Sequence, residues 1–296
     1  MTRTILAATL TPFRPDGELW LERIPSYLRF LTDHGVHGFL ALGTNGEFAS
    51  LTVEERERVL DAHIAAADGR PVYVNVGATV MQDMMHLAKH AHRAGAAGVA
   101  VLPPYYFPLT KGGFEDVARR AADAFSGPIF LYNIPRYTGY RIPVDTVADL
   151  AQDGVCIGMK DSSQDIDYLK QVRSVAPNID FFMGSDTTLI EGLTAGVTGV
   201  VSGMANTFPD VVAGTVRAFE SGSDLVLWGE RIREIRTMFA RYPYLAATRR
   251  SLAARGMDVG PVRAPLSDLS ADEHSDLAGL LSEILDRFRD SAVKNK

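Results

Sequence analysis

Short runs of Val, Ile and Leu alternate along the chain with longer segments whose apolar residues recur at helical spacing, the pattern that builds a parallel sheet. Eight apolar runs predict strands: Ile5–Leu10, Gly38–Leu42, Val72–Val76, Gly98–Leu102, Ile129–Tyr132, Val155–Met159, Asp180–Met183 and Gly199–Val201. Between them Ile24–His34, Val53–Asp68, Met81–Ala94, Phe114–Phe125, Val144–Ala151, Ile166–Ala176 and Thr187–Ala195 predict helices. Thr52-Val53-Glu54-Glu55 has the form of a capping box at the start of the second helix. Eight strand–helix units predict a closed (β/α)8 TIM barrel over residues 1–222, because an open doubly wound sheet needs fewer strands and a phosphate fingerprint. Beyond it, Leu225–Arg241, Tyr244–Arg255 and Ser270–Arg289 predict a three-helix C-terminal extension over residues 223–296, with Leu245, Leu252, Leu280 and Leu285 facing a core.

Composition narrows the function. The 296 residues are 46% hydrophobic and 22% charged, which suits a globular enzyme and excludes a long disordered tail. A net charge of −6 gives no electrostatic reason to approach nucleic acid or an anionic membrane, so a small molecule is the expected partner. The single cysteine, Cys156, excludes an intrachain disulfide and a Cys-rich zinc site, and reads as a buried, inert thiol. The N-terminal apolar run ends at Pro12 with no small-residue cleavage site, and no stretch approaches the ~18 apolar residues that span a bilayer. The expectation is a cytoplasmic protein.

A barrel concentrates chemistry at the C-terminal ends of its strands. The sixth run ends in Lys160, although the chain holds 6 Lys against 24 Arg. A guanidinium keeps its proton, whereas a desolvated lysine amine can lose one and attack a carbonyl to form a Schiff base. The competing reading is a strand-end lysine paired with Asp161 or reaching out to water. Gly43-Thr44-Asn45-Gly46-Glu47 is a strand-to-helix turn whose free N–H groups and Thr44 hydroxyl suit a carboxylate or phosphate, or else a purely structural turn. Tyr132 can share the barrel mouth with Lys160 and relay a proton, or simply satisfy a backbone carbonyl. His86 and His90 share a helix face but lack a third metal ligand, so no metal site is assigned, and no cofactor is expected. Arg119-Arg120 and Arg249-Arg250 read as solvated helix faces.

Taken together, Gly43-Thr44-Asn45-Gly46-Glu47, Tyr132-Asn133-Ile134-Pro135 and Gly158-Met159-Lys160-Asp161 resemble the motifs of the dihydrodipicolinate synthase and N-acetylneuraminate lyase family of class I pyruvate aldolases. Pro104-Tyr105-Tyr106, the Gly199 to Asn206 segment and the three-helix extension also fit, so the resemblance covers nearly the whole chain. It implies that Lys160 forms an imine with pyruvate and that Thr44 and Asn45 hold the pyruvate carboxylate. It also implies that Tyr132 shuttles protons, that Tyr106 completes the relay from a neighbouring subunit, and that Val201 packs on the bound ketoacid. A homotetramer built as a dimer of dimers is implied as well.

Two departures bear on the second substrate. Synthases of the family carry an arginine two places after the Tyr-Asn-x-Pro proline, where Tyr137 stands here, and a phenol cannot supply a guanidinium's bidentate charge. Arg136, one residue earlier, would compensate only if the loop rotates. Gly184-Ser185-Asp186 replaces a common Gly-Asp-Asp, and Ser185 and Asp186 resemble the polar groups that bind sugar hydroxyls. The expected reaction is therefore reversible cleavage of a 2-keto-3-deoxy sugar acid into pyruvate and an aldehyde. The alternatives are a sugar-acid dehydratase using the same imine, a 4-hydroxy-tetrahydrodipicolinate synthase using aspartate semialdehyde, and a non-catalytic small-molecule binder.

Overall fold

The computed structural model describes residues 3–294, with backbone only from 290 onward. Met1 and Thr2, and the last two residues of the expected extension, lie outside the described residues. Eight parallel strands close into one barrel: β1 (Thr4–Ala8), β2 (Gly38–Ala41), β3 (Val72–Asn75), β4 (Gly98–Val101), β5 (Ile129–Asn133), β6 (Cys156–Asp161), β7 (Asp180–Met183) and β8 (Gly199–Ser202). Closure comes from β1 against β8, with Thr4 opposite Gly199 and Leu6 opposite Val201.

The outer ring consists of α1 (Ile24–Asp33), α2 (Val53–Ala66), α3 (Met81–Ala94), α4 (Lys111–Phe125), the single turn α5 (Pro135–Thr138), α6 (Val144–Gln152), α7 (Ile166–Val175), α8 (Leu189–Thr194) and α9 (Pro209–Glu220). The capping box forms as the sequence predicts, with the Glu55 N–H donating to Thr52 Oγ1 at 3.2 Å and the Thr52 N–H to Glu55 Oε2 at 3.0 Å. α4 begins three residues earlier than the apolar pattern indicates, because Thr110 caps it by accepting from the Gly113 N–H while two glycines in its first turn hide the period. The helix expected from Thr187 opens as a 3-10 turn over Asp186–Thr188.

The eighth crossover, α9, has no counterpart among the predicted helices. Its residues from Val211 to Val216 are all buried, so a six-residue stretch shows no polar position, and only Asp210, Arg217 and Glu220 mark its outer face. Strand β6 also runs past its expected end at Met159 and carries Lys160 and Asp161 inside its pairing register. Cys156 is buried, and burial pushes its thiol up to about 12.

The extension comprises α10 (Val226–Phe239), α11 (Tyr244–Ala254) and α12 (Ala271–Lys294). Leu252 faces the core as expected, but on α12 the buried positions are Leu277, Leu281 and Ile284, while Leu280 and Leu285 are half-buried at the flank. Arg249 corrects another expectation. Far from lying on a solvated face, its side chain is 1% exposed and paired with the fully buried Glu47 carboxylate. Its neighbour Arg250 bonds Asp268, and Arg119 and Arg120 hold Asp153 and Asp116 on the surface. His86 donates to Glu57 and His90 to Asp61 across the outer α2–α3 contact. Among the described residues no cluster of three or more His, Cys, Asp or Glu side chains is arranged to hold a metal ion, and no helix is long and apolar enough to cross a membrane.

Candidate active site

Strand pairing sets the centre of the site. Tyr132 on β5 lies directly opposite Lys160 on β6, so both side chains leave the same end of the barrel. The Lys160 Nζ sits 4.1 Å from the centre of the Tyr132 ring, and the Tyr132 hydroxyl is 3.2 Å from Thr44 Oγ1. Lys160 is 6% exposed and Tyr132 1%. The lysine stem fits because the next strand ends in glycine: a Cβ on Gly184 would come within 3.0 Å of Lys160 Cε and 2.3 Å of Ser162 Oγ.

Asp161 does not partner the amine. Its Oδ1 accepts from Asn133 Nδ2 at 2.6 Å, and its Oδ2 from Ser163 Oγ at 2.8 Å, on the side of the strand away from Lys160. Burial raises the Asp161 carboxyl above the ordinary range, an effect these donors partly offset. Among the described residues no carboxylate lies within ion-pair distance of Lys160. Tyr132 likewise bonds a neighbouring hydroxyl in the site, Thr44.

The turn after β2 presents its backbone. The N–H groups of Gly46 and Glu47 are used inside the turn, donating to the carbonyls of Gly43 at 3.0 Å and Thr44 at 3.1 Å. Those of Thr44 and Asn45 have no protein acceptor among the described residues, and both residues line the cavity. Two donors and a hydroxyl beside a buried amine have the chemistry to receive a small anion with a reactive carbonyl.

These groups open into one cavity of about 780 Å3. The barrel contributes Thr44, Tyr132, Lys160 and Val201, and the extension contributes Arg236, Tyr244, Leu245 and Leu266. Ser185 and Asp186 are part of the wall, but the Asp186 carboxylate is occupied internally: Oδ1 accepts from Ser202 Oγ and Oδ2 from the Met204 N–H at 2.9 Å. Burial raises its pKa. Tyr137 stands at the rim, 60% exposed, with the Arg136 guanidinium 5.5 Å over its ring, and Arg136 itself reaches the lining. Tyr106 is separate. It is 87% exposed, has a φ of 87°, and stacks edge-on with the exposed Phe107 outside the cavity lining.

Sequence reasoning missed the extension's share of the wall. The Tyr244 hydroxyl meets the Asn45 side-chain amide over Gly203, and the phenol is pushed up by burial. Arg236 lies 5.7 Å over the Tyr244 ring and faces Asp186. Neither follows a strand, so the rule that directed attention to strand ends passed over both.

The sequence profile of the dihydrodipicolinate synthetase family matches residues 1–284. The chain is 36% identical to an uncharacterised DapA-like lyase of Halobacterium salinarum over 95% of this chain and 93% of that one. It is 33% identical to a 4-hydroxy-tetrahydrodipicolinate synthase of Methanoculleus marisnigri, over 95% of this chain and 99% of that one. Among solved structures, YagE of E. coli K12, a prophage protein of the dihydrodipicolinic acid synthase family crystallised with pyruvate, superposes with a TM-score of 0.90 at 27% identity, covering 95% and 98% of the two chains. The chain belongs to the dihydrodipicolinate synthetase family and, with it, to the lyases.

Proposed function

We propose that the protein is a Schiff-base pyruvate aldolase acting in the cytoplasm, cleaving or forming a 2-keto-3-deoxy sugar acid. The observation that carries this reading is the buried amine of Lys160, without a carboxylate partner among the described residues, beside Tyr132 and the two free N–H groups of Thr44 and Asn45. The pyruvate complex of YagE supports the same ketoacid here.

In the condensation direction the Lys160 nitrogen attacks C2 of pyruvate, and the carbonyl oxygen leaves as water after taking up two protons. The cationic imine then draws electrons from C3, which loses a proton to give an enamine. That carbon attacks the aldehyde, whose oxygen is protonated, and water hydrolyses the new imine to free the lysine. Tyr132, bonded to Thr44, is placed to carry these protons, while the Thr44 and Asn45 N–H groups hold the carboxylate. Tyr106, exposed beside Phe107, would reach the site of a neighbouring subunit in a tetramer made of two dimers.

For the second substrate, Ser185 and the polar rim favour a hydroxylated aldehyde, and Tyr137 takes the position of the synthase arginine. A dehydratase running through the same imine uses the same residues. The synthase reading draws on the Methanoculleus relative and on Arg136 in the lining. Comparing kcat/KM for glyceraldehyde, glyoxylate, aspartate semialdehyde and N-acetylmannosamine with pyruvate separates these readings. Preference for aspartate semialdehyde by orders of magnitude would overturn the sugar-acid assignment. Borohydride added with pyruvate should leave a stable mass on the Lys160 peptide, and its absence would favour a non-catalytic binder.

A further inference from the structure

We infer that Tyr244 and Arg249, five residues apart on α11, are positioning residues for the Thr44–Asn45 turn, so that the C-terminal extension sets how firmly a ketoacid carboxylate is held. The inference rests on the reading of that turn as the carboxylate receptor.

The turn is not self-supporting. It is bracketed by two non-glycine residues in the left-handed region, Leu42 at φ 57° and Glu47 at φ 54°, a conformation that L-residues keep only where their surroundings impose it. For Glu47 those surroundings come from the extension. Oε1 accepts from Arg249 Nε at 3.0 Å and Nη2 at 2.5 Å, and Oε2 accepts from the Arg263 N–H at 3.0 Å. Arg249 also donates to the Thr11 carbonyl at 2.8 Å, and Thr11 Oγ1 donates to the Gly46 carbonyl at 2.7 Å. One guanidinium therefore ties the end of the turn both to its own carboxylate and to the loop after β1.

The other flank is held by the same helix. The Asn45 side-chain amide and the Tyr244 hydroxyl converge above Gly203, where a Cβ would come within 2.6 Å of Asn45 Nδ2 and 2.7 Å of the Tyr244 oxygen. Thr248 Oγ1 donates to the Tyr244 carbonyl at 2.8 Å, a second local tie within α11. The Thr44–Asn45 turn, whose two N–H groups have no protein acceptor among the described residues, is thus contacted from α11 on both sides. A buried ion pair is a poor device for stability alone, since apolar groups of the same shape often serve as well, but it fixes direction. Loosening the clamp should weaken initial capture of the ketoacid and leave the chemistry after imine formation nearly intact, which appears as a rise in KM at near-constant kcat.

The test uses the full-length protein with Tyr244→Phe, Arg249→Lys and Arg249→Met, measuring thermal midpoints, steady-state constants for pyruvate and for the preferred aldehyde, and the pyruvate concentration that half-saturates borohydride trapping at Lys160. Tyr244→Phe should keep the wild-type midpoint and raise half-saturating pyruvate about three- to tenfold, the range expected for one lost polar contact. Arg249→Lys should shift it in the same direction, and less than Arg249→Met. Unchanged half-saturation in Tyr244→Phe and Arg249→Lys, or a change confined to the aldehyde KM, overturns the inference while wild-type trapping leaves Lys160 in its role. Failure of wild-type protein to trap pyruvate overturns the underlying reading instead.

Discussion

The two walls of the cavity are built differently. The barrel wall places Tyr132 and Lys160 as paired residues on adjacent strands, so their separation is fixed by sheet geometry. The facing wall comes from the helical extension, which holds the Thr44–Asn45 turn through the side chains of Tyr244 and Arg249 and the main-chain N–H of Arg263. The groups proposed to react sit on paired strands, and the groups proposed to tune capture sit on an element whose sequence reads as ordinary helix. The comparison predicts that damage to the barrel wall stops the reaction, whereas damage to the extension weakens binding and folding.

The largest expected effect is Lys160→Ala, which should reduce turnover to background because among the described residues no other amine lies in the cavity lining. Activity near wild type in that variant would break the comparison. Tyr132→Phe should slow turnover by about 10² to 10⁴, the usual range for general acid–base help, with pyruvate still trapped at high concentration. On the other wall, Arg249→Met leaves the Glu47 carboxylate buried and unpaired, and should cost about 3–5 kcal/mol of stability in urea unfolding. Adding Glu47→Gln to it should recover much of that loss; no recovery would mean the charges are not the source of the penalty.

A pH effect separates the barrel from the site. His63 on α2 is fully buried, and burial lowers its pKa to about 4 from an ordinary 6.5, with Nδ1 2.8 Å from the Val59 carbonyl. The unfolded chain therefore binds an extra proton between these two values. Stability contributed by the neutral ring is complete above pH 6.5 and is lost as pH falls to about 4, amounting to about 3 kcal/mol. Asp161 and Asp186, raised by burial, act in the opposite sense, so the quantity to measure is the difference between wild type and His63→Gln. The acid limb of unfolding should be shallower in the variant, with the pyruvate KM at pH 8 unchanged. The smallest effect is expected from Thr52→Ala, which removes one helix cap and should cost about 1 kcal/mol with no change in activity.

The barrel was legible because alternation of short apolar runs with helical segments survives without any knowledge of contacts. α9 was not, since its polar face is reduced to Asp210, Arg217 and Glu220 at its ends and the stretch between Val211 and Val216 is buried throughout. At the site, Lys160, Tyr132, Thr44, Asn45, Ser185, Asp186, Val201 and Tyr137 all line the cavity; strand ends pointed to the first six of these, whereas Val201 and Tyr137 were reached only through the family resemblance. Tyr106 lies outside it, where a single chain offers it no partner in the site. Arg249 illustrates the opposite failure. In sequence an Arg-Arg pair on a helix looks solvated, and only the fold brings Glu47, some two hundred residues away, against it. Tyr244 and Arg236 were hidden for the same reason: their partners are distant in sequence and no spacing rule connects them.

The most direct test of the central claim is a crystal structure of the protein soaked with pyruvate. The account predicts continuous density from Lys160 Nζ to C2 of the ketoacid, with its carboxylate on the N–H groups of Thr44 and Asn45. Pyruvate bound in the cavity but unlinked to Lys160, or seated with its carboxylate on Arg236, would contradict it.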